Sequence, residues 1–223
     1  NGISHVKTLG LSAMELEFVR NINIGKELAK EVKKTAEKED VTLTCHGQYF
    51  INLNSKEKEK KDASVQRILN AARRAYECGA VSMTFHAAFY QGDSSEKVYG
   101  VVKESLKDIT AALKNEGINI WVRPETTGKP TQFGSIQELV KLSSELDMVL
   151  PTIDFAHLHA RTGGKNNTYK EFREILNIVE KHLGEDGLNN MHIHMAGINY
   201  TDKGERNHLN LKDSDLNYKE LIS

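Results

Sequence analysis

No stretch of this chain approaches the ~18 consecutive apolar residues that a membrane-spanning helix needs, so no membrane partner is expected. Cysteine is nearly absent. Cys45 and Cys78 are too few for a disulfide framework and fit a protein of the reducing cytoplasm. Charge of one sign is absent as well: the formal net charge is −1, so no global basic character announces a nucleic-acid partner. Lys and Arg cluster near LNSKEKEKK (53–61) and RTGGK (161–165). Interleaved Glu makes the first of these a solvated helix start. Also lacking are a GxGxxG turn and a phosphate loop, the usual signs of an open, doubly wound nucleotide-binding sheet.

What the chain does have is regular alternation. Runs rich in β-branched residues lie at 14–19, 41–46, 81–86, 118–123, 149–154 and 191–196. Between them lie segments of helical period. GKELAKEVKKTAEKE puts Leu28, Ala29, Val32 and Ala36 on one stripe. SVQRILNAARRAYECG does the same with Val65, Ile68, Leu69, Ala72 and Ala75, and stops at Gly79. The segment 98–117 stops likewise at Gly117, and 135–146 and 169–184 complete the set. Strands separated by helices predict a parallel sheet with crossover helices.

The strand ends carry metal-type residues: His46, His86, Glu125, Asp154 with His157, and His192. A closed ring of strands brings such residues to one rim. Imidazole with carboxylate suits zinc, or manganese and iron as substitutes. The expected fold is therefore an α/β, TIM (β/α)8-type barrel forming a single domain over residues 1–223. Six strands are found where a full barrel has eight. The first residues read as the tail of a helix and the last as the start of one. The expectation is a chain incomplete at both ends, without its first and last strands.

At the level of motifs the chain resembles the endonuclease IV family, zinc-dependent apurinic/apyrimidinic endonucleases with a xylose-isomerase-like barrel. HGQYFINL (46–53) is similar to that family's H-x-x-Y-x-I-N-L segment, followed in order by TFH (84–86), PETTG (124–128), IDFAH (153–157) and MHIH (191–194). The resemblance implies two or three metal ions. His46, His86 and Glu125 correspond to ligands of one, Glu125, Asp154 and His192 to ligands of a second, and His157 to a ligand of a third. It implies cleavage of double-stranded DNA 5′ to abasic sites by metal-activated water, with Glu125 and Asp154 catalytic. Tyr49 and Phe50 match residues that wedge into the base stack, and Arg20 matches an inserting arginine less closely.

The pattern departs from the family in three places. His194 follows His192 at strand spacing, and so shares its pocket or replaces it. GERNH (204–208) stands where the family has D-R-H, offering Glu205 and His208 as replacements. The family's late glutamate has no counterpart before Ser223.

Blander readings apply elsewhere. His5, His159 and His182 are expected to be structural, as are Trp121 and both cysteines. Glu15 and Glu17 share one strand face; Glu17, nearer the carboxyl end, either reaches the rim pocket or forms a surface pair with Glu15. The competing enzyme reading is a single-metal sugar isomerase or epimerase of the same barrel group. The third is a barrel that keeps the metals without efficient DNA cleavage, acting as a binding protein or on another phosphate ester. The chain is expected to act as a monomer.

Overall fold

The computed structural model describes residues 2–223. Its strands are β1 (Ala13–Glu17), β2 (Thr42–His46), β3 (Ala80–Phe85), β4 (Ala88–Phe89), β5 (Trp121–Pro124), β6 (Gln132–Phe133), β7 (Thr152–Asp154), β8 (His192–His194), β9 (Gly197–Thr201) and β10 (Gly204–Leu209). The helices are α1 (Gly2–Thr8), α2 (Lys26–Glu39), α3 (Lys58–Glu77), α4 (Ser95–Asn115), α5 (Ile136–Glu145), α6 (Phe155–Arg161), α7 (Tyr169–Asn189) and α8 (Tyr218–Leu221).

Strands β1, β2, β3 and β5 form one parallel sheet in chain order. Parallel bridges Val122–Val149 and Glu125–Thr152 carry the wall on to β7, which pairs with β8. Helices α2, α3, α4 and α5 fill the crossovers, and α6 and α7 share the last. Among the described residues, no backbone ladder joins β8 back to β1. The wall is a six-stranded parallel arc with a seam. The expected strands are present, two of them starting three residues late, at Trp121 and Thr152. Regular pairing of 149–154 begins only at Thr152, because Pro151 has no N–H to give to a ladder.

Period-2 alternation explains where the core lies. Leu16, Leu43, Cys45, Met83, Phe85 and Val122 alternate outward, and they pack in one buried cluster with helix residues such as Ala29, Ile68, Val102 and Leu106. Their neighbours in sequence, Glu15, Thr44, Thr84 and Arg123, face the barrel axis and are polar, as do Thr152 on β7 and His192 on β8. A barrel interior is usually filled by bulky branched side chains. Here Arg123 lies buried among these polar groups and donates to Pro151 O (3.0 Å), Asn190 O (2.9 Å) and Asn190 Oδ1 (2.7 Å). It stitches β5 to the residues that lead into β7 and β8. Burial lowers its pKa to about 10.

The helix boundaries follow their capping chemistry. Ser135 and Thr168 open α5 and α7 with reciprocal capping boxes to Glu138 and Glu171. Gly79 and Gly117 stop the chain after α3 and α4 with φ of 83° and 71°, a region that favours glycine. Helix α7 runs past the expected end at Gly184, where φ is 66°, and resumes to Asn189. Three elements lie outside the sequence expectation. They are the short ribbon β4–β6, the antiparallel ribbon β9–β10 and the seven-residue helix α6.

Candidate metal centre

At the carboxyl ends of the strands lies a cleft of 630 Å³. Its centre is Glu125, at the end of β5 and only 1% exposed. Oε2 lies 3.3 Å from His46 Nε2 and 3.2 Å from His86 Nε2. Oε1 lies 2.9 Å from His194 Nδ1 and 3.4 Å from His157 Nδ1. Burial alone would raise the Glu125 pKa. The charge of His86 and the contacts with His157, His194 and His46 outweigh it and hold the carboxyl well below the usual range.

The ring orientations suit metal ligation. A ligating histidine ordinarily gives its other ring N–H to a carbonyl or carboxylate, which leaves the first nitrogen's lone pair free. His46 Nδ1 is 2.8 Å from Gly47 O, and His157 Nδ1 is 2.9 Å from Thr126 O. Their Nε2 atoms therefore face the cleft. Glu125 Oε2, His157 Nε2 and His194 Nε2 are buried and have no hydrogen-bond partner. Buried polar atoms left unpaired are costly, and a cation beside each would satisfy it. Four groups of three donor atoms lie within 4.8 Å of one another: His46–His86–Glu125, Glu125–Asp154–His194, His157–Glu205–His208 and Glu15–His192–His194. These residues fit divalent ions of the zinc class.

Asp154 ends β7 and at once caps α6, accepting the His157 N–H at 2.7 Å through Oδ1. His157 therefore sits in the first turn of a helix, not on the strand rim as the sequence suggested. Burial pushes the Asp154 carboxyl up, His157 opposes and Glu125 adds to the rise. His157 itself is pushed up to about 10. Burial lowers it, but Asp154 and Glu125 outweigh burial.

The β9–β10 ribbon brings Glu205 and His208 to this helix. His157 Nε2 is 3.6 Å from Glu205 Oε2, and the His157 and His208 rings are 5.3 Å apart. Two glycines make this approach possible. Gly204 turns with φ of 90° against the backbone of Gly128, and Glu205 N donates to Gly128 O at 2.9 Å. A Cβ on Gly128 would lie 2.6 Å from the Glu205 Cβ.

His192 and His194 share a face of β8 but meet different neighbours. His194 reaches Glu125. His192 stands one pleat lower, with Nε2 3.1 Å from Glu15 Oε2. His194 Nε2 is 3.0 Å from the other oxygen, Glu15 Oε1. The structure thus places His194, rather than His192, with Glu125 and Asp154, because one pleat separates the two rings along the barrel axis. Burial raises Glu15, but His192 and His194 outweigh it and bring the carboxyl down to about 2. Glu15, and not Glu17, meets the histidines of the last strand.

The model of the xylose isomerase-like TIM barrels matches residues 3–223. The chain belongs to this family. Sequence comparison aligns it with an uncharacterized protein of Methanocaldococcus jannaschii, 41% identical over 217 residues, covering 97% of this chain and 78% of that one. Among solved structures, endonuclease IV from Thermus thermophilus is similar with a TM-score of 0.75 and 17% identity, over 99% of this chain and 81% of that one. A D-tagatose 3-epimerase-like protein gives 0.73 at 17% identity, over 95% and 76%. D-psicose 3-epimerase from Clostridium cellulolyticum gives 0.66 at 14% identity, over 90% and 80%. These likenesses establish the barrel. Their members include both nucleases and epimerases.

On this xylose isomerase-like barrel, Tyr49 and Phe50 stand on the loop after β2, 58% and 69% exposed, and the Tyr49 ring meets His46 edge-on. Arg20 is exposed after β1, where its carbonyl accepts from Gln48 Nε2 at 3.4 Å. His5 and His182 lie on α1 and α7, away from the cleft. His159 is fully buried, between Lys165 O (2.8 Å) and Asp215 Oδ1 (3.1 Å). Cys45 and Cys78 are buried, and Trp121 is half-buried. No helix among the described residues is long and apolar enough to cross a membrane.

Proposed function

We propose that this barrel is a metal-dependent phosphodiesterase that cuts double-stranded DNA 5′ to abasic sites. The observation that carries the reading is Glu125. Its two carboxylate oxygens meet separate sets of histidines, and it belongs to two of the four donor groups. A carboxylate so placed can hold two cations close, which suits an in-line displacement at phosphorus. A sugar isomerase or epimerase of this barrel group needs one ion.

Bound zinc, or manganese or iron in its place, would supply Lewis-acid stabilisation of the phosphodiester oxygens and lower the pKa of nearby water. The chain's own residues do the rest. His46, His86, Glu125 and Asp154 would hold the cations, with His157, Glu205 and His208 as a further set, and the His194 Nδ1–H would orient Glu125. Asp154 has one oxygen fixed by the His157 N–H. Its other oxygen, 3.5 Å from His157 Nδ1, is the one left to hold a cation beside Glu125. Tyr49 and Phe50 are exposed large rings beside the cleft mouth, available to fill the space of an extruded nucleotide. The HGQYFINL segment and the likeness to endonuclease IV support the choice of abasic DNA.

The test is a duplex carrying one abasic site, incubated with protein stripped of metal and reloaded with zinc. Zinc-dependent nicking on the 5′ side is expected. Absence of nicking with two or more ions bound would redirect the reading to another phosphate ester. Absence of nicking with a single ion bound would favour sugar epimerisation.

A further inference from the structure

We propose that Glu15, His192 and His194 form a divalent-cation site of their own, of the zinc class, at the seam between β1 and β8. The nuclease resemblance carries no ligand onto β1, and it pairs its β8 histidine with Glu125 and Asp154.

The argument begins with His194. Its Nδ1 lies 2.9 Å from Glu125 Oε1, the distance and partner of an N–H donor to a carboxylate. In the neutral ring the lone pair is then on Nε2. That atom is buried, has no hydrogen-bond partner, and stands 3.0 Å from Glu15 Oε1. A lone pair facing a carboxylate oxygen at that distance is repulsive unless a cation, or a proton on Nε2, lies between them. His192 presents its Nε2 to the other Glu15 oxygen at 3.1 Å. The three donor atoms lie within 4.8 Å of one another.

The neighbours of the three ligands fit the same role. A carboxylate on the far nitrogen of a ligating imidazole fixes its tautomer and raises its basicity, and Glu125 does this for His194. Thr44 Oγ1 donates to Glu15 Oε2 at 3.1 Å and holds that carboxylate in place from the adjacent strand. Two histidines and a glutamate make three protein ligands, which leaves a zinc-class ion one open position. His194 thus ligates through Nε2 here while its N–H supports Glu125. The occupancy of this site and the strength of the Glu125 group are coupled through one ring.

The assignment concerns binding alone and is independent of the substrate. Equilibrium dialysis of wild-type protein against zinc, read by elemental analysis, gives the number of ions. E15Q and H192N are each expected to bind one ion fewer, the lost ion weakened at least ~100-fold. The double variant should lose no more than either alone. H46N should lose a different ion, additively with E15Q. Melting in excess chelator checks that each variant folds. Zinc-edge anomalous scattering from wild-type crystals needs no variant: a peak is expected about 2.0–2.2 Å from the three donor atoms. Wild-type ion count and affinity in a folded E15Q, or no peak at the seam while His46, His86 and Glu125 hold one, overturns the proposal and leaves the nuclease reading standing. No ion bound anywhere overturns both.

Discussion

Replacing Glu125 by glutamine keeps the volume and shape of the side chain while removing its charge and one of its two acceptors. The structure makes this severe in either orientation of the amide. With NH2 toward His46 and His86, a donor occupies the place of Oε2, 3.2–3.3 Å from both imidazole nitrogens, and repels a cation. With NH2 toward His194, a donor faces the Nδ1–H that now gives a 2.9 Å bond to Oε1. Changing a partner that merely orients a ligand typically costs 10–100-fold in affinity, so removing a ligand itself should cost at least ~100-fold. That is ~2.8 kcal/mol for the ion held with His46 and His86. A further ~10-fold is expected at the ion held with His194, whose ring loses its orienting carboxylate. Competition against a chromophoric zinc chelator at neutral pH measures both steps, and melting in chelator confirms the fold. Zinc affinity in E125Q within tenfold of wild type at every site would refute the central position given to this carboxylate.

Other variants probe separate parts of the molecule. Gly128→Ala puts a methyl 2.6 Å from the Glu205 Cβ, so the β9–β10 ribbon must move away. The ion of the His157–Glu205–His208 group should bind about 10–100-fold more weakly, with ~1–3 kcal/mol of overpacking strain. An unchanged zinc titration and melting temperature would contradict this. Asp215 is held below its usual pKa of 3.8. Burial raises it, but hydrogen bonds with Tyr200 and His159 outweigh burial. Its stabilisation is therefore present above pH ~4 and is lost as pH falls through the lowered folded value. Since the carboxylate is largely exposed, D215N should cost under about 1 kcal/mol at neutral pH. The gap in urea midpoint between variant and wild type should close in acid, and a gap that widened there would reverse the sign argued here. Tyr49→Ala with Phe50→Ala should lower affinity for abasic over intact duplex without changing zinc content. Equal preference before and after the change would remove the wedge role.

The barrel was legible in the sequence because strands and helices have different periods. The outward residues of β2 and β3, such as Leu43, Cys45, Met83 and Phe85, had to be apolar, which left His46 and His86 as conspicuous exceptions at the strand ends. What stayed hidden depended on depth along the barrel axis, which residue spacing does not encode. His192 and His194 look equivalent in MHIH, and only the register of β8 against β7, pairing His194 with Asp154, separates them. Nearness to a strand's carboxyl end points to Glu17 rather than Glu15, and the seam contact that selects Glu15 joins distant parts of the chain. Helix α6 was missed because a strand and a helix share Asp154. The available signal was Asp154 as an N-cap three residues before His157, a capping arrangement read instead as a ligand pair. The β4–β6 ribbon has two residues in each strand, too few for any alternation to register.

The seam also bears on the order of events during folding. Every neighbouring pair of wall strands is joined by one crossover, so the arc can assemble from local contacts between consecutive units. Glu15 meets His192 and His194 only when the two extremes of that arc come together, the contact of greatest loop length and so of greatest closure entropy. Of the donor groups, His46, His86 and Glu125 form as soon as β2, β3 and β5 pair, whereas the seam group forms last. A chain arrested part-way through folding would carry one competent set of ligands and lack the other. Ion uptake at the seam would then report that the ring of strands has drawn together.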